Sequence, residues 1–257
     1  MKRFFTILTA TLLLLPACTD NDSIRTENLS LNDETPFSEG SQFSLNLDFN
    51  VDFPVSGFEK EALAQVRKTI RKACFGDAYA DFTAPVKELA QAVRDEYAAD
   101  YVSSNESFLR DMEITEAEAN NLNWSFDIKG SFGETYGDYI NYIVERYDYM
   151  GGAHGMYGLF PIVFDRKTGQ TVTAEVFTNG VSRERLTELI DQHKFDELED
   201  MIDDDINRED IFYVEVIEPS NYFSVGEKGL TYYYQPYDVA PYVIGLITIT
   251  IPWEEMR

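Results

Sequence analysis

An unbroken alternation of apolar and polar residues over positions 43–53 is the feature that most restricts how this chain can fold. Side chains at every second position of a β-strand lie on the same face, so the pattern predicts a strand with one buried face. A face this apolar needs a second layer of structure to cover it. The apolar positions are Phe43, Leu45, Leu47, Phe49, Val51 and Phe53.

The segment after this strand has the period of a helix. Ser56 and Glu59 have the spacing of a capping box, and Gly76 is a typical helix terminator, so we predict a helix that ends near Phe75. Its apolar positions recur every fourth residue, so Cys74 is expected in the core as an unreactive thiol rather than at the surface as a reactive one. These positions are Phe58, Ala62, Val66, Ile70 and Cys74.

The rest of the chain divides into blocks of helix and blocks of strand. We predict a second helix capped by Thr83 with Pro85 in its first turn, a hairpin turn at residues 167–169, and a third helix capped by Ser182. Because the blocks are segregated rather than alternating, the expected class is α+β with mainly antiparallel sheets and packed helices. The predicted strands cover residues 122–128, 139–149, 157–165, 172–176, 211–217, 222–225, 230–234 and 244–251.

The N-terminus has the composition of a signal peptide. Lys2 and Arg3 precede an apolar run over residues 4–15, which is too short to cross a bilayer as a helix. Residues 15–18 (Leu-Pro-Ala-Cys) resemble the lipobox of bacterial lipoproteins, in which the cysteine becomes the first residue and carries acyl chains. We therefore expect a signal peptide over residues 1–17 and a lipid on Cys18. The alternative is an ordinary secretory signal with an incidental cysteine.

The segment after Cys18 is polar and acidic and has no sustained period. We predict that residues 18–40 form a lipidated flexible tether, with ordered structure beginning at Phe43. The lipid would attach the protein to a membrane of the bacterial cell envelope. The protein would then lie at the outer membrane, either facing the periplasm or exposed on the cell surface.

The charge balance excludes one class of partner. The chain has 21 Lys and Arg residues against 46 Asp and Glu residues, which gives a formal net charge of -25. Such a surface repels phosphate backbones, so we expect no nucleic-acid partner. A cationic partner is favoured electrostatically, although strong acidity is also typical of proteins that are merely soluble.

A search for catalytic and metal-binding motifs finds none. The chain has only two histidines, His154 and His193, and it lacks the zinc, nucleotide-binding and serine-hydrolase motifs. Asp203, Asp205 and Asn207 have the spacing of the first three ligands of an EF-hand calcium loop. Arg208 occupies the position at which this loop requires glycine, so the sequence does not match it. We therefore predict no catalytic residue, no metal and no cofactor. The hypothesis of a hydrolase that uses His154 stays open, because the members of a Ser-His-Asp catalytic triad need not be close in sequence.

Two unusual strings supply candidate ligand-binding residues. Residues 151–155 (Gly-Gly-Ala-His-Gly) indicate either a tight loop that presents His154 and Tyr157 to a ligand or a bulge between strands. Residues 232–242 contain five tyrosines and two prolines, which suits either recognition of a protein or glycan or a structural loop. The candidates are His154, Tyr157, Tyr237, Asp238 and Tyr242.

The same strings carry a family resemblance. Residues 151–155, the string Phe-Asp-Arg-Lys-Thr-Gly-Gln at 164–170 and residues 229–252 resemble, in order and spacing, the C-terminal domain of the anti-sigma factor RsiV, a domain of unknown function. Residues 41–165 are similar in layout to its companion domain, which is also found in a peptidoglycan deacetylase. The resemblance implies two small α+β domains in tandem, over residues 41–165 and 166–257. It also implies an extracytoplasmic binding role, since the RsiV module binds lysozyme directly.

Three hypotheses for the function follow. The first is a lipid-anchored binding or sensing module whose partner is a cationic, lysozyme-like protein or a cell-wall glycan such as a peptidoglycan fragment. The second is an envelope hydrolase that acts on glycan or peptide through His154. The third is a structural lipoprotein of the envelope.

Overall fold

The computed structural model describes residues 23–198 and 211–256, and these contain three α-helices and eight β-strands in two sheets. The first part contains β1 (Arg25–Pro36), β2 (Ser44–Ser56), α1 (Lys60–Phe75), α2 (Val86–Asp111), β3 (Trp124–Tyr136), β4 (Tyr139–Tyr149) and β5 (Met156–Asp165). The second part contains α3 (Arg183–His193), β6 (Phe223–Val225), β7 (Gly229–Tyr234) and β8 (Ile247–Pro252). The fold class is α+β, as the segregated blocks of the sequence predict.

The first sheet is built around the alternating segment. Its strand order is β1-β2-β3-β4-β5, and all its neighbours are antiparallel except β2 and β3, which are parallel. The predicted apolar face of β2 is buried, with Phe49, Val51 and Phe53 at 0% exposure. The helices α1 and α2 cover this face, and their buried residues include Ile70, Cys74, Val93 and Tyr101. The predictions of a one-sided strand and of a buried Cys74 are confirmed.

The predicted flexible tether is wrong over β1. Residues 25–36 form an edge strand that pairs antiparallel with the full length of β2. Only Leu29 on its inward face is fully buried, whereas its neighbours Glu27 and Asp33 form ion pairs with Arg67 of α1 and Arg94 of α2. Inward-pointing charged residues are typical of edge strands. They interrupt the alternation of apolar and polar residues by which a strand is predicted from sequence.

Two of the three predicted helix caps are also wrong. Ser56 is the last residue of β2, and its hydroxyl accepts a hydrogen bond from Arg25 Nε at 2.9 Å, so it does not cap α1. The helix α2 begins only after Pro85, whose ψ of 153° is extended, and Thr83 lies outside it. Ser182 does cap α3, because its Oγ accepts from the backbone N–H of Arg185 at 3.2 Å.

The second sheet, in the order β6-β7-β8, packs against α3 around a separate core. Two predicted strands are absent from this part of the described chain. Residues 174–176 form a short 3₁₀ helix after an isolated bridge between Phe164 and Thr171, and residues 211–217 are irregular. Pairing with β5 does not extend beyond Val172, whose N–H donates to the carbonyl of Val163 at 3.0 Å. Ile211 is buried in the second core although its segment forms no strand.

The strand β5 joins the two cores, because its side chains alternate between them. Phe164 is buried in the first core, and Val163 is buried in the second. Asn141 of β4 strengthens the junction. It is 3% exposed, and its amide bonds to both the N–H and the C=O of Val225 in β6.

Several predictions lie outside the described residues. These are the signal peptide over residues 1–17, the lipid on Cys18, the first residues of the tether up to position 22, and the calcium-like spacing of Asp203, Asp205 and Asn207. Within the described residues, no helix combines the length and the apolar character that a membrane crossing requires.

Candidate functional site

The glycine-rich string forms the connection between β4 and β5. Gly151 and Gly152 have positive φ angles of 90° and 91°, a conformation that glycine adopts without steric cost. A side chain at Gly155 would place its Cβ 2.4 Å from the ring of Tyr147, so this position has no room for one. The glycines therefore let a tight loop place His154 at the end of the first sheet, where its side chain is exposed.

The tyrosine- and proline-rich string is attached to β5 by one side chain. Gln235 accepts a hydrogen bond from the N–H of Leu159 at 2.8 Å and donates one to the carbonyl of Leu159 at 2.7 Å. Its side-chain amide thus makes with β5 the same two hydrogen bonds that a peptide group of a neighbouring strand would make. This contact joins residues that are 76 positions apart in the chain. It holds the loop after β7 next to the loop that contains His154.

The loop itself is closed by Asp238 and Tyr213. The Oδ2 of Asp238 accepts from the N–H of Gln235 at 2.7 Å, which makes a tight turn around Tyr237. Tyr237 has a positive φ of 75°, an uncommon conformation for a bulky residue that is often found at binding sites. The hydroxyl of Tyr213 donates to the carbonyl of Tyr237, and so helps to hold this conformation.

The two strings meet in an aromatic cluster. The ring of His154 stacks on that of Tyr242, with centroids 4.1 Å apart and an interplanar angle of 24°. Tyr237 lies beside both rings, 5.5 Å from Tyr242 and 6.5 Å from His154, and its hydroxyl is 3.4 Å from His154 Nε2. The hydroxyl of Tyr242 donates to the carbonyl of Gly155 at 2.8 Å, which fixes one loop on the other.

Side chains within this cluster and next to it are exposed. Tyr237 is 50% exposed, Tyr213 is 55% exposed, and Val243, which follows Tyr242, is 87% exposed. We call His154, Tyr213, Tyr237, Tyr242 and Val243 the aromatic edge. Contiguous exposed apolar surface is uncommon on isolated proteins and is typical of binding sites.

The structure brings together three of the five sequence-predicted candidates, places Asp238 in the turn next to them, and separates Tyr157. His154, Tyr237 and Tyr242 form the cluster. Tyr157 lies on β5, opposite Tyr147, and burial raises the pKa of its hydroxyl. Its carboxylate neighbours Glu145 and Asp127 belong to the polar face of the first sheet rather than to the aromatic edge. Asp238 contributes to the site by closing the turn.

The contacts of His154 restrict its chemistry. Its Nδ1 faces the carbonyl of Gly155 at 2.9 Å, and its Nε2 faces the hydroxyl of Tyr237. Neither contact is the carboxylate that would orient a general base or the serine or cysteine that such a base would activate. Among the described residues, no group of three or more His, Cys, Asp or Glu side chains is arranged to hold a metal ion. The arrangement offers stacking surface and hydrogen-bonding groups.

Sequence reasoning missed two residues of the site, Gln235 and Tyr213. Gln235 is the one amide side chain in the string 232–242, and an amide among aromatic residues is a signal for a specific hydrogen bond. Tyr213 falls in the segment that was predicted to be a strand. No local pattern connects it to Tyr237, which is 24 residues away.

Comparison with known proteins identifies a domain in the second part of the chain. A family described as a protein of unknown function (DUF3298) matches residues 174–254. This range holds α3, the second sheet and most of the aromatic edge. No curated protein matches the chain.

Two solved structures show the same fold over nearly the whole chain. A member of the DUF3298 family from Bacteroides fragilis superimposes with a TM-score of 0.79 at 21% identity, covering 92% of this chain and 93% of that one. A DUF3298 family protein from Pseudomonas aeruginosa superimposes with a TM-score of 0.53 at 15% identity, covering 92% and 94%. At such identities the likeness is one of fold. The resemblance to RsiV and the lipid anchor stay predictions.

Proposed function

We propose that this protein is a lipid-anchored binding module of the bacterial cell envelope, and that the aromatic edge is its binding surface. The preferred ligand is a cationic, lysozyme-like protein, with a cell-wall glycan as the second candidate. The lipid on Cys18 would hold the module at the envelope, where such ligands are found.

The observation that carries the proposal is the convergence of two remote strings on one exposed cluster. His154 and Tyr242 are 88 positions apart in the chain, yet their rings stack at 4.1 Å beside the half-exposed ring of Tyr237. Tyrosine and histidine rings held by backbone hydrogen bonds offer rigid contact area at low entropic cost, which is what binding surfaces require. A loop with a purely structural role would bury these rings against the sheet.

The net charge favours a basic protein over a neutral glycan. With 46 acidic and 21 basic residues, the chain attracts a cationic partner at long range and speeds its encounter. The aromatic edge would then supply short-range specificity. A neutral sugar would stack on the aromatic rings, but the net charge of the protein would not attract it.

The alternative of an envelope hydrolase draws little support from the contacts of His154. Its nitrogen atoms face a backbone carbonyl and a tyrosine hydroxyl, so a substrate would have to supply the missing nucleophile. The two hypotheses are separable with His154→Ala. A hydrolase would lose its activity with folding intact, whereas a binder would lose affinity without any turnover in either form. A purely structural lipoprotein would bind none of these ligands.

The test uses the chain from Thr19 to Arg257, which contains every described residue. Lysozyme and, separately, muropeptides are titrated into it by calorimetry at low and at physiological salt. We expect saturable binding of lysozyme and a loss of about tenfold or more for Tyr237→Ala, the size of an aromatic hot-spot effect. Met112→Ala is the matched control, because Met112 is similarly exposed, at 57%, but lies just after α2.

Two outcomes would contradict the proposed binding role. The absence of saturable binding for both ligands at low salt would show that the protein does not have this binding role. Equal binding of lysozyme and an unrelated basic protein, abolished together by salt, would reduce the interaction to nonspecific charge attraction.

The anchor is tested separately in cells. We expect the full-length protein to fractionate with membranes and Cys18→Ser to fractionate with the soluble proteins of the envelope. Retention of the Cys18→Ser variant in the membrane fraction would exclude lipidation at this position as the means of attachment.

A further inference from the structure

A cavity of about 280 Å³ lies in the second part of the molecule, away from the aromatic edge. It is formed between the 3₁₀ helix at residues 174–176, the N-terminal end of α3, and the strands β6 and β7. Its volume is just below the usual range for ligand pockets, about 300–1,000 Å³, so it suits only a small ligand. Part of its wall is apolar, formed by Val172, Leu186 and Phe223.

Tyr232 lines this cavity and has a buried hydroxyl without a partner. The residue is 0% exposed, and its hydroxyl makes no hydrogen bond within the described residues. The pKa of this hydroxyl is raised to about 12, mainly by burial and to a smaller extent by Glu175, against the opposing effect of Arg183. Both of these charged residues line the same cavity. A buried polar group without a partner is rare in native proteins and calls for an explanation, such as a water, an ion or another bound molecule.

The cavity also presents one charge of each sign. A hydrogen bond from the hydroxyl of Thr173 lowers the pKa of Glu175, so that this carboxylate is ionised at neutral pH. Arg183 donates one hydrogen bond to Glu218 at 2.7 Å, and a guanidinium has five N–H donors in all. The exposed side chains of Glu175 and Arg183 and the buried hydroxyl of Tyr232 thus line one small space with an apolar wall.

We propose that this cavity binds a small zwitterion with an apolar side chain, such as a free aliphatic or aromatic amino acid. Its carboxylate would pair with Arg183 and accept from the hydroxyl of Tyr232, its ammonium group would pair with Glu175, and its side chain would contact Val172, Leu186 and Phe223. A simple acid would leave Glu175 without a partner from the ligand, and a simple amine would leave Arg183 and the hydroxyl of Tyr232 without one. This site is independent of the aromatic edge.

The first test compares a zwitterion with its two halves. Leucine, alanine and phenylalanine are titrated into the chain from Thr19 to Arg257, alongside 4-methylpentanoate and 3-methylbutylamine, which are leucine without its amine and without its carboxylate. We expect leucine to bind saturably and each half to bind at least about tenfold more weakly, since each loses one charged hydrogen-bond partner. If none of the three amino acids binds up to about 10 mM, the weak end of specific recognition, the proposal is overturned.

The second test separates a binding role of Tyr232 from a structural one. Tyr232→Phe removes a hydroxyl without a protein partner, so we expect an unchanged or higher unfolding midpoint together with an affinity for leucine about tenfold weaker. Tyr101→Phe is the matched control, because Tyr101 also has a buried, unpartnered hydroxyl but lies in the first core. Equal affinity for leucine in Tyr232→Phe and wild type would overturn the assignment.

The third test assigns the ammonium subsite. In Glu175→Gln we expect leucine and 4-methylpentanoate to bind with similar affinities, because the carboxylate that distinguishes them is gone. If the variant keeps the wild-type preference for leucine, Glu175 does not bind the ammonium group. His154→Ala should bind leucine as wild type does, so failure of this site leaves the proposed function standing.

Discussion

Cys74 lies on the inward face of α1, fully buried in the first core. Burial raises the pKa of its thiol to about 12, and the opposing effect of Arg146 is smaller. The nucleophilic thiolate is therefore scarce, and no reagent can reach it without unfolding. In the chain from Thr19 to Arg257 it is the only cysteine.

We expect the native protein not to react with an aromatic disulfide reagent at about pH 8, close to the ordinary thiol pKa. One equivalent should react in guanidinium chloride. Free cysteine serves as the rate control, and a native rate close to that of free cysteine would contradict the buried position.

His193, the last residue of α3, bonds to two carboxylates. Its Nδ1 lies 2.6 Å from Asp196 and its Nε2 lies 3.0 Å from Glu255, near the end of the described chain. Burial by itself lowers the pKa of His193, but these hydrogen bonds outweigh it, and the pKa is raised above its ordinary value of 6.5. The protonated ring thus stabilises the fold fully below pH 6.5, and this contribution disappears as the pH rises through the raised pKa.

We expect His193→Gln to lower the free energy of unfolding by on the order of 1 kcal/mol below the ordinary pKa of histidine, as charged hydrogen bonds at a helix end do. The difference from wild type should shrink at alkaline pH. Urea unfolding across this range measures it. Lys194→Gln is the control, since a lysine keeps its charge over the whole range. A difference that stays constant or grows with pH would contradict the ion-pair assignment.

At the scale of elements, β1 shows how an edge strand can escape detection. Its polar residues look like those of a linker, yet twelve residues pair with β2 in continuous register apart from one irregularity. Leu29 anchors the strand, because it is 2% exposed and belongs to the first core. Its outward neighbours face solvent and contribute little.

We expect Leu29→Ala to lower the free energy of unfolding by about 2–4 kcal/mol, the usual loss for truncating a buried leucine. Ser30→Ala, on the outer face of the same strand, should change it by less than about 0.5 kcal/mol. Chemical denaturation measures both. If Leu29→Ala were as neutral as Ser30→Ala, residues 25–36 would be a tether after all.

At the scale of the whole molecule, the two sheets are joined through a polar residue. Asn141 donates to the carbonyls of Glu134 and Val225, both at 2.7 Å, and accepts from the N–H of Val225 at 2.9 Å. Nearby, Tyr136 at the end of β3 stacks on Trp253 after β8 at 4.7 Å. The second part therefore depends on the first for some of its hydrogen bonds.

We expect Asn141→Ala to lower the free energy of unfolding by about 3 kcal/mol, because the two buried backbone groups of Val225 and the partly buried carbonyl of Glu134 lose their partner at once. Asn46→Ala is the control, since the amide of Asn46 makes an exposed hydrogen bond to Ser44. Denaturation followed by tryptophan fluorescence suits this test, because Trp124 and Trp253 belong to different parts. An unchanged transition in Asn141→Ala would show that the junction does not need this side chain.

Prediction from sequence succeeded where a local pattern carried the information. The alternation around Phe49 identified β2, and the four-residue spacing that ends at Cys74 identified α1. Prediction failed where contacts between distant residues, rather than a local sequence pattern, decided the structure. Ser56 has the spacing of a cap but completes a strand, and Ile211 packs in the second core although its segment forms no strand.

The candidate site follows the same division. Glycine, tyrosine and proline content marked both loops, because those residues have unusual backbone freedom, rigidity and contact area. Nothing local could show that His154 stacks on Tyr242 or that Tyr157 faces elsewhere. The stacking is supported by Gln235, which attaches one loop to β5.

The sequence alone determined the α+β class, the central strand, the helix that buries Cys74, and the two loops whose composition suits binding. These properties arise from periodicity and from the backbone preferences of single residues, which act over a few positions. The tertiary structure alone decided the edge strand, the aromatic edge and the cavity beside Tyr232. Each of these requires residues tens of positions apart to pack or to exchange hydrogen bonds, and such contacts leave no local pattern in the chain.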